Sequence, residues 1–271
     1  SLFIFPTGDP TFMLREFKIN PVLIFLCKKH KPIVISEAIW ESQKFGRGWS
    51  WDDFNASYMA ERSPFPVNGN VIDWLVVRSP HVSLSKDSLY NPGHSLIILN
   101  EPEIGQYELD DNNWKEKNTE ITRSEQSNYF AISSGKESVY EDKIPFVTQI
   151  LKATNKILSD TLKISVASRN FESRELLRVI NSQPTDSVLK PMMHRSDNFF
   201  AEPTLLMVSN ERLGVMNDEK IIDTILKTEF NNLPQKPRWV DGSGLSRYNL
   251  FTPQDLVFIL NKMKNEFGME R

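Results

Sequence analysis

The feature that most constrains this chain is a change of hydrophobic period partway along it. Between Val71 and Phe146 the apolar residues fall into short runs, "VIDWLVV", "HSLIILN" and "SNYFAIS", separated by long polar stretches such as "ELDDNNWKEKNTE". After Glu172 the apolar residues return at helical spacing, and the two periods place side chains on incompatible faces. The middle segment therefore reads as a separate β-rich insert.

The flanking segments supply further elements. Ser1 to Pro6 reads as a strand running into the Pro6-Thr7-Gly8-Asp9-Pro10 turn. Phe12 to Lys29 is predicted to be helical in part, with Pro21 interrupting, ahead of a short buried strand Ile33-Val34-Ile35. From Ile144 to Leu162 the residues Ile144, Val147, Ile150, Leu151, Ala153, Ile157, Leu158 and Leu162 predict one helix, with Pro145 tolerated in its first turn. Later, Arg174 to Ser182 predicts a short helix and Asp218 is placed to cap "EKIIDTILKTEF". Thr252-Pro253-Gln254-Asp255 supplies a cap, a first-position proline and a first-turn acid for a last helix ending near Phe267. No fixed-period repeat or low-complexity tract is visible.

Composition excludes several classes. The net charge is −3, and the longest basic run is Lys28-Lys29-His30-Lys31, so nucleic acid is not an expected partner. Cys27 is the single cysteine, which rules out an internal disulfide and a cysteine-based zinc site. His30, His81, His94 and His194 are scattered without an HExxH pattern, and no glycine-rich phosphate loop occurs, so neither metal nor cofactor is expected. The apolar runs Pro21 to Cys27 and Val71 to Val77 fall short of the ~20 residues that span a bilayer, so no transmembrane segment is expected. The start "SLFIFPTGDP" lacks the features of a signal peptide and reads as the interior of a larger protein.

Three stretches are candidates for chemistry. Ser196-Asp197-Asn198, within "HRSDNFFAE", sits at a loop-to-helix junction and, taken alone, reads as an ordinary helix cap. Asp241-Gly242-Ser243-Gly244-Leu245-Ser246 reads as a tight turn locking the helical part to a sheet, since its spacing does not fit a Gly-x-Ser-x-Gly nucleophile elbow. The loop carrying Trp49, Trp51, Asp52, Asp53 and Tyr58 suits either packing or the wall of a binding groove.

Taken in order, the Gly8-Asp9-Pro10-Thr11 turn, "GWSWDDFNASYMAERSPFPVNGN", "PMMHRSDNFFAEPTLL" and "WVDGSGLSRYNLFTPQDLVFIL" resemble the D-alanyl-D-alanine carboxypeptidase/endopeptidase family, the class C low-molecular-mass penicillin-binding proteins. The resemblance implies an α+β multidomain protein, in which a partial penicillin-binding, β-lactamase-like catalytic domain carries two nested inserted domains. Residues 1–70 and 142–170 would form the first inserted α/β domain, 71–141 the nested β-rich domain, and 171–271 the partial catalytic domain with the SDN motif. It implies an acyl-serine hydrolase in the periplasm or cell envelope whose partners are peptidoglycan peptides and β-lactams. In that setting Ser196 passes a proton toward the leaving amine, Asn198 holds the substrate carbonyl, and Asp197 holds their loop. Glu37 and Trp40 are the nearest match to the acidic and aromatic residues that contact the diamino-acid side chain. The alternative is a noncatalytic peptidoglycan-binding scaffold of the same fold.

The sequence departs from the family at two motifs. The nucleophile motif Ser-x-x-Lys, expected well before Gly8, and the Lys-Thr-Gly motif, expected after Leu260, are not present. Matches at Ser83 to Lys86 and Ser133 to Lys136 fall in the β-rich insert, and Ser187 to Lys190 runs into Pro191. None suits a nucleophile opening a buried helix. Leu176, Leu177, Ile222, Leu226 and Leu256 are expected to pack against catalytic-domain elements outside this chain.

Overall fold

The structure is a computed structural model that describes residues 1–79, 90–91, 94–112, 114–172 and 178–268. In chain order the first elements are β1 (Leu2–Ile4), α1 (Pro21–Cys27), β2 (Ile33–Ser36), β3 (Val71–Ser79), β4 (Tyr90–Asn91) and β5 (His94–Glu101). They are followed by β6 (Gln106–Asp110), β7 (Glu120–Arg123), β8 (Tyr129–Ser133), β9 (Val139–Pro145), α2 (Lys152–Leu162) and β10 (Val166–Arg169). The remainder is helical: α3 (Thr185–Arg195), α4 (Asn198–Leu213), α5 (Asp218–Lys227) and α6 (Pro253–Phe267).

The first sheet has the order β1-β2-β10, all parallel, with Leu2 and Val166 both opposite Ile33. Parallel neighbours need a crossover, which α1 provides between β1 and β2. Asn20 caps α1 by accepting the Leu23 N–H at 2.9 Å, and Pro21 occupies the first turn. Pro21 thus opens the helix rather than interrupting one, because a first-turn N–H has no intrahelical partner to lose.

In the second sheet, β4-β5-β3-β9, the central strand β3 alternates so that Ile72, Trp74 and Val76 are buried. Across from them the third sheet, β6-β8-β7, buries Phe130 and Ile132, and the Trp74 ring lies 5.2 Å from that of Phe130. Ile157 and Leu158 of α2 and Ile33 and Ile35 of β2 complete one continuous apolar cluster. Each such side chain stabilises the fold by about 1.5–3 kcal/mol relative to exposure. The three expected strands are β3, β5 and β8, while β6, β7 and β9 lie in stretches read as polar connections.

The helix expected over Ile144–Leu162 begins only at Lys152. Ile144 instead ends β9 opposite Ile72, and both are buried. Glu61 then takes both the N–H and the hydroxyl of Thr148, at 2.8 and 2.9 Å, and holds the chain in a turn where Gln149 and Ile150 have positive φ. Strand pairing and one buried carboxylate override the apolar spacing.

In the C-terminal part, Leu205 of α4 packs on Ile221 and Ile222 of α5, with Leu226 and Trp239 at the edge of the cluster. Ile222 and Leu226 therefore find their partners within the chain, contrary to expectation, whereas Leu256 is exposed and Leu176 and Leu177 lie outside the described residues. Asn217, not Asp218, caps α5, accepting the Lys220 N–H at 2.9 Å. The Asp218 carboxylate is turned inward to an arginine. Of the expected Arg174–Ser182 helix, residues 174–177 lie outside the described residues and 178–182 are not helical. The final helix starts as read, with Thr252 and Asp255 forming a reciprocal capping box. No described helix is long and apolar enough to cross a membrane.

Candidate active site

Ser196-Asp197-Asn198 forms the junction between α3 and α4. Ser196 ends α3 in a left-handed conformation, φ 51° and ψ 47°, which a serine adopts only where its neighbours enforce it. The enforcement is visible: the Asp197 N–H donates to the Met192 carbonyl at 3.1 Å, and Asp197 Oδ1 caps α4 by accepting the Phe200 N–H at 3.3 Å. Arg195 clamps the outside, bonding Glu16 through both terminal nitrogens at 2.6 and 2.9 Å and reaching Asp197 at 3.3 Å. That fork holds the Glu16 carboxyl below its ordinary range.

The capping duty falls on Asp197 and leaves the Ser196 side chain exposed to solvent. Asn198 donates from Nδ2 to the Tyr58 carbonyl at 3.3 Å, which leaves its second N–H and its amide oxygen for another partner. Tyr58 belongs to a 3-10 turn, Ser57–Met59, within the aromatic loop. Hence that loop stands beside the triplet. Its outer surface carries Trp51, Asp52 and Tyr58, and the Tyr58 hydroxyl donates to Asp53, which raises the phenol above its usual range.

Behind the loop lies a buried cation that sequence reading did not single out. Arg62, 2% exposed, donates from Nη1 to Glu202 at 3.1 Å and to Asp218 at 2.7 Å. Its Nε and Nη2 donate to the carbonyls of Gln43 and Phe45, each at 3.1 Å, and its face lies 5.6 Å from the Trp49 ring. One guanidinium thus joins the aromatic loop, α4 and α5. Burial pushes the Glu202 carboxyl above its ordinary value despite the opposing pull of Arg62.

Glu202 also connects the two conspicuous motifs. Its Oε1 accepts the Ser243 N–H at 2.7 Å, so the end of "SDNFFAE" holds the "DGSG" turn directly. Gly242 permits that approach, because a Cβ there would stand 2.7 Å from the Ala201 carbonyl oxygen. Asp241 organises the turn, accepting from Gly244 N, Ser246 N and Asn249 Nδ2 at 2.9, 2.6 and 2.6 Å, and from Trp49 Nε1 at 2.8 Å. The turn is a lock, but to α4 and the aromatic loop rather than to a sheet.

The other candidates lie elsewhere. Glu37 follows β2 and accepts the Ser168 hydroxyl at 2.5 Å, while Trp40 bridges to Met216. They share one turn through Trp40 N–H and the Glu37 carbonyl, on segments other than those that hold the triplet. Ser133 closes β8 beside Ser134, whose hydroxyl is bonded to Arg78 and Asp111. Ser187 and Lys190 do lie a turn apart in α3, but that helix buries no residue. Ser83 to Lys86 lies outside the described residues. Among the described residues, no group of three or more His, Cys, Asp and Glu is placed to hold a metal ion.

Comparison with known proteins gives a consistent picture. The family model for the D-Ala-D-Ala carboxypeptidase 3 (S13) family matches residues 2–268. No curated protein sequence matches. Among solved structures, penicillin binding protein 4 (dacB) from Haemophilus influenzae superposes with a TM-score of 0.68 at 18% identity, covering 97% of this chain and 60% of that one. The same protein complexed with a novel β-lactam gives 0.63 at 15% identity, covering 99% and 61%. At these identities the likeness is one of fold, and the chain spans about three fifths of its neighbours' length.

Proposed function

This chain belongs to the D-Ala-D-Ala carboxypeptidase 3 (S13) family, and on that premise we propose that it supplies the SDN part of an acyl-serine site acting on peptidoglycan stem peptides. In the natural polypeptide a serine outside these residues attacks the carbonyl of the penultimate D-alanine. Its proton passes by way of Ser196 to the leaving amine, and D-alanine departs. Asn198 donates its free N–H to the substrate's peptide carbonyl and orients it. Water then releases the acyl group. A β-lactam acylates the same serine, but its leaving amine stays tethered and hydrolysis is slow.

The observation that carries this reading is the division of labour in the triplet. Asp197 does the capping, so Ser196 and Asn198 are presented at a fixed junction with polar groups to spare. The aromatic loop beside Asn198 forms one wall of the cleft, and its Asp52 and Asp53 carboxylates suit the amine of a diamino acid. Glu37 and Trp40 remain proposed contacts further along the same peptide. We propose the domain division 1–70 with 142–170, 71–141, and 171–271, and an envelope location where such peptides lie.

Intact mass spectrometry of the natural polypeptide with benzylpenicillin tests the proposal. One adduct, mapped to a serine outside these residues and lost slowly, is the expected result. A folded protein that gains no mass would return the triplet to a helix junction without chemistry, as in a noncatalytic scaffold.

A further inference from the structure

Arg123, at the end of β7, is 4% exposed, and among the described residues it has no ion-pair partner. Its terminal nitrogens donate to backbone carbonyls, Nη1 to Ser124 and Glu125 at 2.7 and 3.1 Å and Nη2 to Phe54 at 3.2 Å, while Nε is buried with no partner among the described residues. The guanidinium also lies 5.3 Å from the Phe54 ring. In return, the Asn55 side chain accepts the Arg123 N–H at 2.9 Å. A buried cation that Glu61 and Glu125 attract only from beyond ion-pair distance is costly to keep, so its reciprocal grip on residues 54 and 55 needs a reason.

That grip falls on the segment leading to the triplet. Ala56 N–H bonds the Asp53 carbonyl at 2.8 Å and Met59 N–H bonds that of Ala56 at 2.9 Å, so the backbone from Asn55 to Tyr58 is a tight continuous turn. Met59 is buried, and the Tyr58 carbonyl receives the Asn198 amide at 3.3 Å. A displacement at Asn55 therefore reaches the outer face of the loop, the exposed Asp52 and Tyr58 with the half-buried Asp53, while Asn198 is held separately as the first residue of the capped α4.

We infer that Arg123 and Asn55 are positioning residues through which the β-rich segment fixes the aromatic loop as the peptide-selecting wall of the cleft. The inference rests on the proposed acyl-serine function. Neither residue touches the reacting atoms. Their effect is confined to substrates long enough to meet the loop: a stem peptide with a free diamino-acid amine meets it, whereas a compact β-lactam occupies the reacting centre alone.

The natural polypeptide and its Asn55→Ala, Asn55→Asp and Arg123→Lys variants are compared with two probes. One is a synthetic stem peptide ending in D-Ala-D-Ala, and the other is benzylpenicillin. Asn55→Ala is expected to raise KM for the peptide roughly ten- to hundredfold, the scale of a small misplacement, with penicillin acylation within about twofold of wild type. Asn55→Asp keeps an acceptor for the Arg123 N–H and is expected to restore KM. Arg123→Lys keeps the charge, loses the fork and is expected to behave as Asn55→Ala does. An unchanged peptide KM in both Asn55→Ala and Arg123→Lys overturns the inference, as does a parallel fall of peptide turnover, penicillin acylation and melting temperature. A wild-type protein that penicillin does not acylate sinks the underlying function, and this inference with it, before any variant is made.

Discussion

The Glu202 carboxylate accepts the backbone N–H of Ser243 at 2.7 Å while its other oxygen meets Arg62 at 3.1 Å. Through these contacts, "SDNFFAE", "DGSG" and the aromatic loop become one packed unit. That unit anchors the helix that the triplet opens, in addition to the bonds within the triplet's own turn.

Removing the cation at its centre leaves two carboxylates in the interior. Arg62→Met is expected to destabilise the protein by about 3–5 kcal/mol, the usual cost of breaking a buried pair from one side. Urea denaturation measures it. A loss under ~1 kcal/mol would mean that water reaches Glu202 and Asp218, against the observed burial.

The same site has a pH signature. Burial raises the Glu202 carboxyl above its ordinary value, so the folded state holds a proton that the unfolded state releases first. Its contribution to stability is full below the unfolded pKa and declines as pH rises through the folded pKa. The stability deficit of Glu202→Gln relative to wild type should therefore shrink as pH is raised from about 4.5, the ordinary glutamate region. A deficit that grows with pH would show that the pull of Arg62 outweighs burial.

Gly242 is expected to tolerate no side chain. An added Cβ would press on a backbone oxygen, which cannot rotate away. Gly242→Ala should cost about 1–3 kcal/mol and separate the turn from α4, seen as faster amide exchange at Ser243. Unchanged exchange would contradict the packing.

The triplet's residues separate by measurement. Asp197→Ala removes the α4 cap and should cost about 0.5–2 kcal/mol in thermal or urea unfolding. Ser196→Gly relieves a left-handed serine and should stabilise by up to about 1 kcal/mol. If Ser196→Gly instead destabilised by a comparable amount, the serine would be the structural cap.

Much of this architecture was legible in the sequence where one physical signal dominated. The apolar run Val71 to Val77 marked β3, and the Thr252 and Asp255 pair marked the start of α6. Reading failed where two signals overlapped. Ile144 and Ile157 are apolar at helical spacing, yet one is a strand residue whose partner Ile72 lies far back in the chain. β6 and β7 hid in charged stretches because a small sheet leaves much of its surface polar. The site was legible only as motifs. No spacing distinguishes Arg62 or Arg123 from surface arginines, since what buries each is the convergence of carboxylates or carbonyls from distant segments.

The central claim is that Ser196 takes part in chemistry and Asp197 in structure. Its most direct test is the rate of benzylpenicillin acylation of the natural polypeptide, followed by intact mass, in wild type and Ser196→Ala. The account expects acylation slowed by about 10²-fold or more, the scale of lost proton transfer, at an unchanged melting temperature. Equal rates, or a slowed rate that merely tracks a lowered melting temperature, would contradict it.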